Sequence, residues 1–298
     1  MTVFEIRAER IPEQPSSDGG RLGRGIWHDS RSRAYAVPEL PAGALQSVAW
    51  ERHIPILDQG DVGSCTGNAM TGALATGPVW DALGQAGQFV VKRGETEALR
   101  LYSEAETIDG DGPYPPNDNG SYGLSVAKAA RNDDLISGYT HAFSRAAMLS
   151  ALQSGPVIVG MNWYTSMDSP DSRGLVTVGG SVRGGHELEC RELDMNNALV
   201  WLDNSWSAGW GDAGRCCLSF ASLDRLLAEG GDVTVPLPLS APPPVPVDWT
   251  HPDLKFGHDP RVIGWAADAA ITGGQTKDGD QEYAAQQYQA WRKARRYA

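Results

Sequence analysis

The sequence has 298 residues, 41% of them hydrophobic and 21% charged, with a formal net charge of -12. That length suits roughly two folding units, and that composition excludes global disorder. No apolar run approaches the ~20 residues of a membrane-crossing helix, and the acidic balance repels a phosphate backbone. Neither a membrane nor a nucleic acid is therefore an expected partner.

Residues 1–46 are rich in Pro, Gly, Ser and Arg and read as an irregular N-terminal arm. Met1 to Pro12 lacks the apolar stretch of a secretion signal, which points to a cytoplasmic or virion-associated chain. Residues 47–239 carry almost all of the periodic pattern. Helices are expected over Cys65 to Thr76, Glu95 to Ile108, Ser125 (as cap) to about Asn132, and Ser144 to Gln153. Strands are expected over Val157–Asn162, Leu175–Val178, Glu187–Leu193, Ala198–Asp203 and Arg215–Phe220. Helices first and strands second imply an α+β fold of two lobes with a cleft between them. The helical lobe falls mostly in 60–153 and the β lobe mostly in 154–239. Pro236, Pro238, Pro242, Pro243, Pro244 and Pro246 read as a stiff polyproline-type linker. Residues 240–298 thus form a Pro-rich linker and a C-terminal tail. Asp280 to Tyr297 reads as a terminal helix, with Tyr288 and Trp291 on one face and Arg292, Lys293, Arg295 and Arg296 at its end. Those cations suit a helix C-terminus; docking on another protein is the sharper reading.

The informative stretch is Leu57-Asp58-Gln59-Gly60-Asp61-Val62-Gly63-Ser64-Cys65-Thr66-Gly67-Asn68-Ala69. Glycines at 60 and 63 permit a tight turn, after which Cys65 falls in the first turn of a helix. The partial positive charge of a helix N-terminus favours a thiolate, and a thiolate is a competent nucleophile. Such a nucleophile needs a base and a group to orient it. Gly184-Gly185-His186 offers an imidazole with room beside it. Asp203-Asn204-Ser205-Trp206, 18 residues beyond the histidine, offers an amide oxygen and an indole to shield the bond.

These segments resemble the papain-like cysteine peptidases, whose blocks read Gln-x-Gly-x-x-Gly-Ser-Cys, Gly-His and Asn-Ser-Trp-Gly in that order. The likeness is strongest to the bacterial and phage-encoded branch. It extends to Leu101-Tyr102, Ser154-Gly155-Pro156-Val157 and Trp210-Gly211-Asp212-Ala213-Gly214. His186 follows Cys65 by 121 residues and Asn204 follows it by 139, against roughly 130–150 in the family. Val62 replaces the cysteine usual there, Thr66 the tryptophan, and Ser207 the glycine after Asn-Ser-Trp. The arm is shorter than the family's usual inhibitory propeptide.

The resemblance implies a papain-like fold and hydrolysis of protein or peptide substrates through a Cys65–His186 thiolate–imidazolium pair. Asn204 orients the ring, Trp206 and Gly185 support it, and an acyl-enzyme forms on the sulfur. Gln59 and the Cys65 N–H hold the oxyanion, about 2.7–4 kcal/mol per donor. No cofactor or metal is expected. Cys190, Cys216 and Cys217 lack the paired spacing of structural zinc, and adjacent Cys216 and Cys217 cannot bridge without strain, so a reducing compartment is the simpler setting. Asp109-Gly110-Asp111-Gly112 and Asn117-Asp118-Asn119-Gly120 lack the terminal Glu of a calcium loop and read as turns. His28, His53, His141, His251 and His258 read as surface groups.

Two other functions stay open. One is a virion or assembly component on a peptidase fold, docking through 1–46 and 248–298. The other is a peptidoglycan-directed amide hydrolase. With so short an arm, control is expected from substrate access or from residues 1–46 lying near the cleft.

Overall fold

The protein is represented by a computed structural model that describes residues 5–239. The linker and terminal helix expected over 240–298 lie outside the described residues. Strands β1 (Ile6–Glu9) and β2 (Ile26–Asp29) pair antiparallel. Regular structure therefore appears in an arm that reads as irregular, because each short strand gains its partner from beyond a long loop. Two 3-10 turns and β3 (Val48–Ala49) lead into the body.

The helical lobe holds α1 (Cys65–Leu74), α2 (Gly77–Ala82), α3 (Gly84–Val91), α4 (Glu95–Asp109) and α5 (Gly123–Asn132). Every residue of α1 is buried. Its sequence explains this: small residues let neighbours close in from both sides. A side chain at Gly67 would strike the Ala98 carbonyl of α4, and one at Gly72 would strike Glu189 and Arg52. Thus α1 lies between the other helices and the sheet. Helix α5 starts two residues before the expected cap. Ser125 instead donates its Oγ–H to Asp109 Oδ1 at 2.5 Å, tying α5 to the end of α4.

The β lobe contains β4 (Gly138–Ala142), α6 (Arg145–Leu152), β5 (Val157–Tyr164), β6 (Val182–Asp194), β7 (Leu199–Asp203), β8 (Arg215–Ser219), α7 (Phe220–Ala228) and β9 (Asp232–Leu237). The strands form one antiparallel sheet in the order β4-β9-β5-β6-β7-β8, with β3 also on β6. Leu175–Val178 is not a strand; it makes a single bridge from Leu175 to Cys217. Pro236 belongs to β9 rather than to the linker. At that position β9 pairs only with Tyr139 of β4, because its pairing with β5 ends at Thr234. A missing N–H is tolerated where one side of a strand has no partner.

Two apolar cores match the two lobes. One gathers α1, α2, α4 and α5 around Met70, Leu74 and Leu101. The other packs α6 and α7 on the sheet around Val159, Met161, Trp163 and Leu202. Among the described residues no helix is long and apolar enough to cross a membrane.

Candidate active site

The loop before α1 is pinned to the loop after β7. Gln59 N–H donates to the Ser205 carbonyl at 2.9 Å, and Ser207 N–H donates to the Leu57 carbonyl at 3.0 Å. Ser205 Oγ–H donates to Gln59 Oε1 at 2.5 Å, and Gln59 Nε2 donates to the Val62 carbonyl at 2.7 Å. Gln59 is thereby fixed to Ser205, the residue after Asn204, although 145 residues separate Gln59 from Asn204. Gly60 takes φ +57°, which permits the turn.

Ser64 precedes α1 as expected but leaves the helix end uncapped. Its hydroxyl turns to Asn68 Oδ1 (2.9 Å), and Asn68 in turn holds Glu95. The first amides of α1 keep their donors, and Thr66 N–H points at the Cys65 thiol. The Glu187 N–H also reaches that thiol, so Cys65 stands against β6 immediately beyond His186.

His186 Nε2 meets Asn204 Oδ1 at 2.7 Å. The Ser205 N–H donates to the same oxygen at 2.7 Å. A backbone amide can only donate, so the atom facing it is the oxygen, and His186 Nε2 must carry the hydrogen. Nδ1 then presents its lone pair, and it has no hydrogen-bond partner among the described residues. Trp206 stacks on the imidazole at 4.9 Å with 27° between planes, and Trp163 meets its edge at 5.0 Å. The indole thus lies against the imidazole that is bonded to Asn204. Ser207, where the family has glycine, takes φ +64°. The loop keeps the left-handed turn a glycine would make, and the Ser207 hydroxyl accepts from Gly209 N–H at 3.2 Å.

Cys65 and His186 are each 0% exposed. The arm contributes to this cover. Its loop, 10–25, runs through the cleft and touches both walls. Gln14 N–H donates to the Arg183 carbonyl (2.6 Å), and Trp206 Nε1 donates to the Arg21 carbonyl (3.0 Å). Gly23 and Arg24 N–H groups donate to the Gly185 carbonyl at 3.2 and 3.0 Å. From the opposite wall Ser121 N–H donates to the Gly23 carbonyl (2.8 Å), and Gly25 N–H returns a bond to the Ser121 carbonyl (2.9 Å). Close approach explains the glycines. A side chain at Gly20 would strike Trp206, one at Gly23 the Gly63 carbonyl, and one at Gly185 the Arg24 carbonyl. The room beside His186 is filled by the protein's own backbone.

Burial sets the charge state of this covered site. It pushes the Cys65 thiol up to about 12, outweighing the two N–H groups that pull it down. It pushes His186 down to about 3, with the Asn204 bond opposing and Arg183 adding to the fall. With the arm seated, a neutral thiol beside a neutral imidazole is favoured over the thiolate–imidazolium pair. His141, expected at the surface, is buried on β4 and held at about 4, again by desolvation. All four cysteines are free and buried. Among the described residues no group of three or more His, Cys, Asp or Glu could hold a metal.

Trp163, Arg183 and Asp168 belong to no motif of the sequence yet pack beside the site. Arg183 Nε pairs with Asp168 Oδ1 at 3.0 Å, and Trp163 Nε1 donates to the same oxygen at 2.8 Å. Ser16 of the arm donates to the other Asp168 oxygen at 2.6 Å. Their only signal is a polar pair next to an aromatic cluster, visible once strands are paired.

No protein-family model and no curated protein sequence matches the chain. Among solved structures it is similar to xylellain, a cysteine protease from Xylella fastidiosa. That match has 15% identity and a TM-score of 0.50, and covers 80% of this chain and 99% of that one. It is also similar to digestive procathepsin L 3 of Tenebrio molitor larval midgut, with 16% identity and a TM-score of 0.50, over 76% of this chain and 83% of that one. At such identities the likeness is one of fold: two lobes in the papain-like arrangement, with a cleft between them.

Proposed function

We propose that this chain is a papain-like cysteine peptidase of the bacterial and phage-encoded branch, with Cys65, His186 and Asn204 as its catalytic residues. The observation that carries the reading is the tautomer. Ser205 N–H orients Asn204, Asn204 holds Nε2–H of His186, and Nδ1 is left as a base. Once the arm is displaced, water returns to the site and the cost of separating charge falls. Nδ1 takes the thiol proton and Sγ attacks the peptide carbonyl carbon. The Gln59 side-chain amide and the Cys65 N–H hold the oxyanion. Nδ1–H gives its proton to the amine as the C–N bond breaks, leaving an acyl-enzyme. Nδ1 then deprotonates water, which attacks the thioester and releases the acid. Gly185 leaves space for a peptide backbone beside the ring. The seated arm is the means of control in this reading. Residues 47–239 are the peptidase domain in this reading, with 240–298 as a Pro-rich linker and tail of which 248–298 would dock on protein.

The full sealing of Cys65 favours a second reading, in which the arm never leaves and the protein is an interaction module. Mass spectrometry of a denatured protein after incubation separates the two. New peptides made by the wild type or the Arg24→Ala chain, and none by Cys65→Ala, are expected. No cleavage by any of them, with Cys65 unlabelled by a thiol-directed epoxide, overturns the peptidase reading.

A further inference from the structure

Arg24 is an arm residue whose side chain is fully buried next to the proposed site. Its backbone N–H bonds Gly185, the residue before His186, and its charge is felt at Cys65. The guanidinium enters a slot between the lobes. Nη2 donates to the Gly230 carbonyl at 2.9 Å and pairs with Asp232 Oδ1. The carboxylate of Glu187 faces the same slot, and neither of its oxygens has a hydrogen-bond partner among the described residues. Three groups converge over Gly160. A Cβ there would lie 2.5 Å from Arg24 Nε, 2.6 Å from Glu187 Oε2 and 2.7 Å from Asp232 Oδ1. Gly123 closes the far side, 2.8 Å by the same measure from Glu187 Oε1 and 3.0 Å from Asp232 Oδ2.

Four elements of the body thus build one pocket: β6 gives Glu187, β9 gives Asp232, and β5 and α5 give the glycines. The cation in it comes from the arm and pairs with Asp232, while Arg24 Nε and Nη1, like the Glu187 oxygens, have no hydrogen-bond partner among the described residues. Burial and the Asp232 charge push Glu187 well above the usual carboxylate range, and Arg24 pulls against them. An arm that leaves the cleft exposes an acidic slot within one residue of His186.

We infer that this slot is the specificity pocket of the proposed peptidase, and that it takes a basic side chain, arginine before lysine, placed close to the scissile bond. Arg24 occupies it as a substrate side chain would, carried on a backbone hydrogen-bonded to both walls. Arginine is favoured because Nη2 of the planar fork serves the Asp232 carboxylate and the Gly230 carbonyl together and leaves Nε and Nη1 as further donors, whereas an ammonium is a single point charge. The inference rests on the peptidase reading for its function but not for its binding, so the two can be tested apart.

The full chain carrying both Arg24→Ala and Cys65→Ala cannot turn over and has lost its internal cation. It is titrated with a dye-labelled peptide of residues 18–28, and with the same peptide bearing Leu for Arg24. Both peptides compete with the same loosened arm, so the ratio of their affinities reports the pocket alone. Binding of the arginine peptide about tenfold or more tighter is expected, as for hydrogen bonds to charged groups. The advantage should vanish when Glu187→Gln and Asp232→Asn are added. Equal binding of the two peptides overturns the inference, as does discrimination that survives loss of both carboxylates. Cleavage of a mixed peptide library by the Arg24→Ala chain supplies the second readout. Cuts clustered next to arginine support the inference, and cuts clustered next to aliphatic residues overturn it. No cleavage at all counts against the peptidase reading, while the binding ratio still decides the pocket.

Discussion

Glu187 and Glu189 stand two residues apart on one face of β6, and both turn toward the helical lobe. Glu189 receives Arg52 Nη1 on one oxygen (2.5 Å) and the Thr76 hydroxyl on the other (2.5 Å). Beside it Asp203 is held by Arg191 Nε at 2.8 Å and Arg215 Nε at 2.9 Å. Every cation in that cluster belongs to the body of the protein. The Glu187 carboxylate has no hydrogen bond among the described residues, and its neighbour Asp232 pairs with a cation borrowed from the arm. One carboxylate is tied into a closed network that joins the lobes. The other is kept ready for a partner that can be exchanged. Asp203 also immediately precedes Asn204, so the closed network holds the strand end that delivers the orienting amide.

Breaking the closed network should have the largest effect on stability. Asp203→Asn removes the buried carboxylate shared by Arg52, Arg191 and Arg215 and is expected to cost about 3–5 kcal/mol, read as a lower urea midpoint with an unchanged slope. Breaking the borrowed pair should cost less. In the Arg24→Ala chain Glu187 and Asp232 can take up a proton or water, so a loss of about 1–2 kcal/mol is expected. The same variant should raise the rate at which Cys65 reacts with a thiol reagent, while Asp203→Asn leaves Cys65 covered below its own unfolding midpoint. Equal effects of the two variants on both readouts would erase the distinction.

The smallest change is in titration. With the arm seated, the His186 ring should stay neutral from pH 8 down to about pH 4, because burial holds its folded value near 3. The unfolded chain binds that proton near pH 6.5, so His186 contributes stability above pH 6.5 that is lost as pH falls toward its folded value. His141, held at about 4, has the same sign. NMR of the histidine rings checks both. Only the His186 resonance should move toward ordinary titration in the Arg24→Ala chain.

The chain's local signals carried much of this. Cys65 opens a helix, Gln59 is bonded to Ser205 beside Asn204, and Trp206 stacks on His186. Each rests on a block whose spacing or residue type is set by local geometry. What stayed hidden depends on pairing across long separations. Strand β4 is short and mixed in character, and β9 contains a proline, so neither reads as a strand until the other is beside it. Helices α2 and α3 are short and open on Gly77-Pro78 and on Gly84. Glu187 reads as an ordinary strand residue, and Asp232 is 45 positions away. The arm's alternating Gly20, Gly23 and Gly25 mark a backbone that must pass close to other atoms, although which atoms they avoid appears only in the fold.

In the proposed peptidase a base aimed by Asn204 activates Cys65 once the arm is out of the way. This activation is tested most directly by the rate at which a thiol-directed epoxide labels Cys65 in three full-length chains. Slow labelling of the wild type, fast labelling of Arg24→Ala, and loss of that gain in Arg24→Ala with His186→Ala are predicted. A gain that persists without His186, or labelling spread equally over Cys190, Cys216 and Cys217, would contradict it.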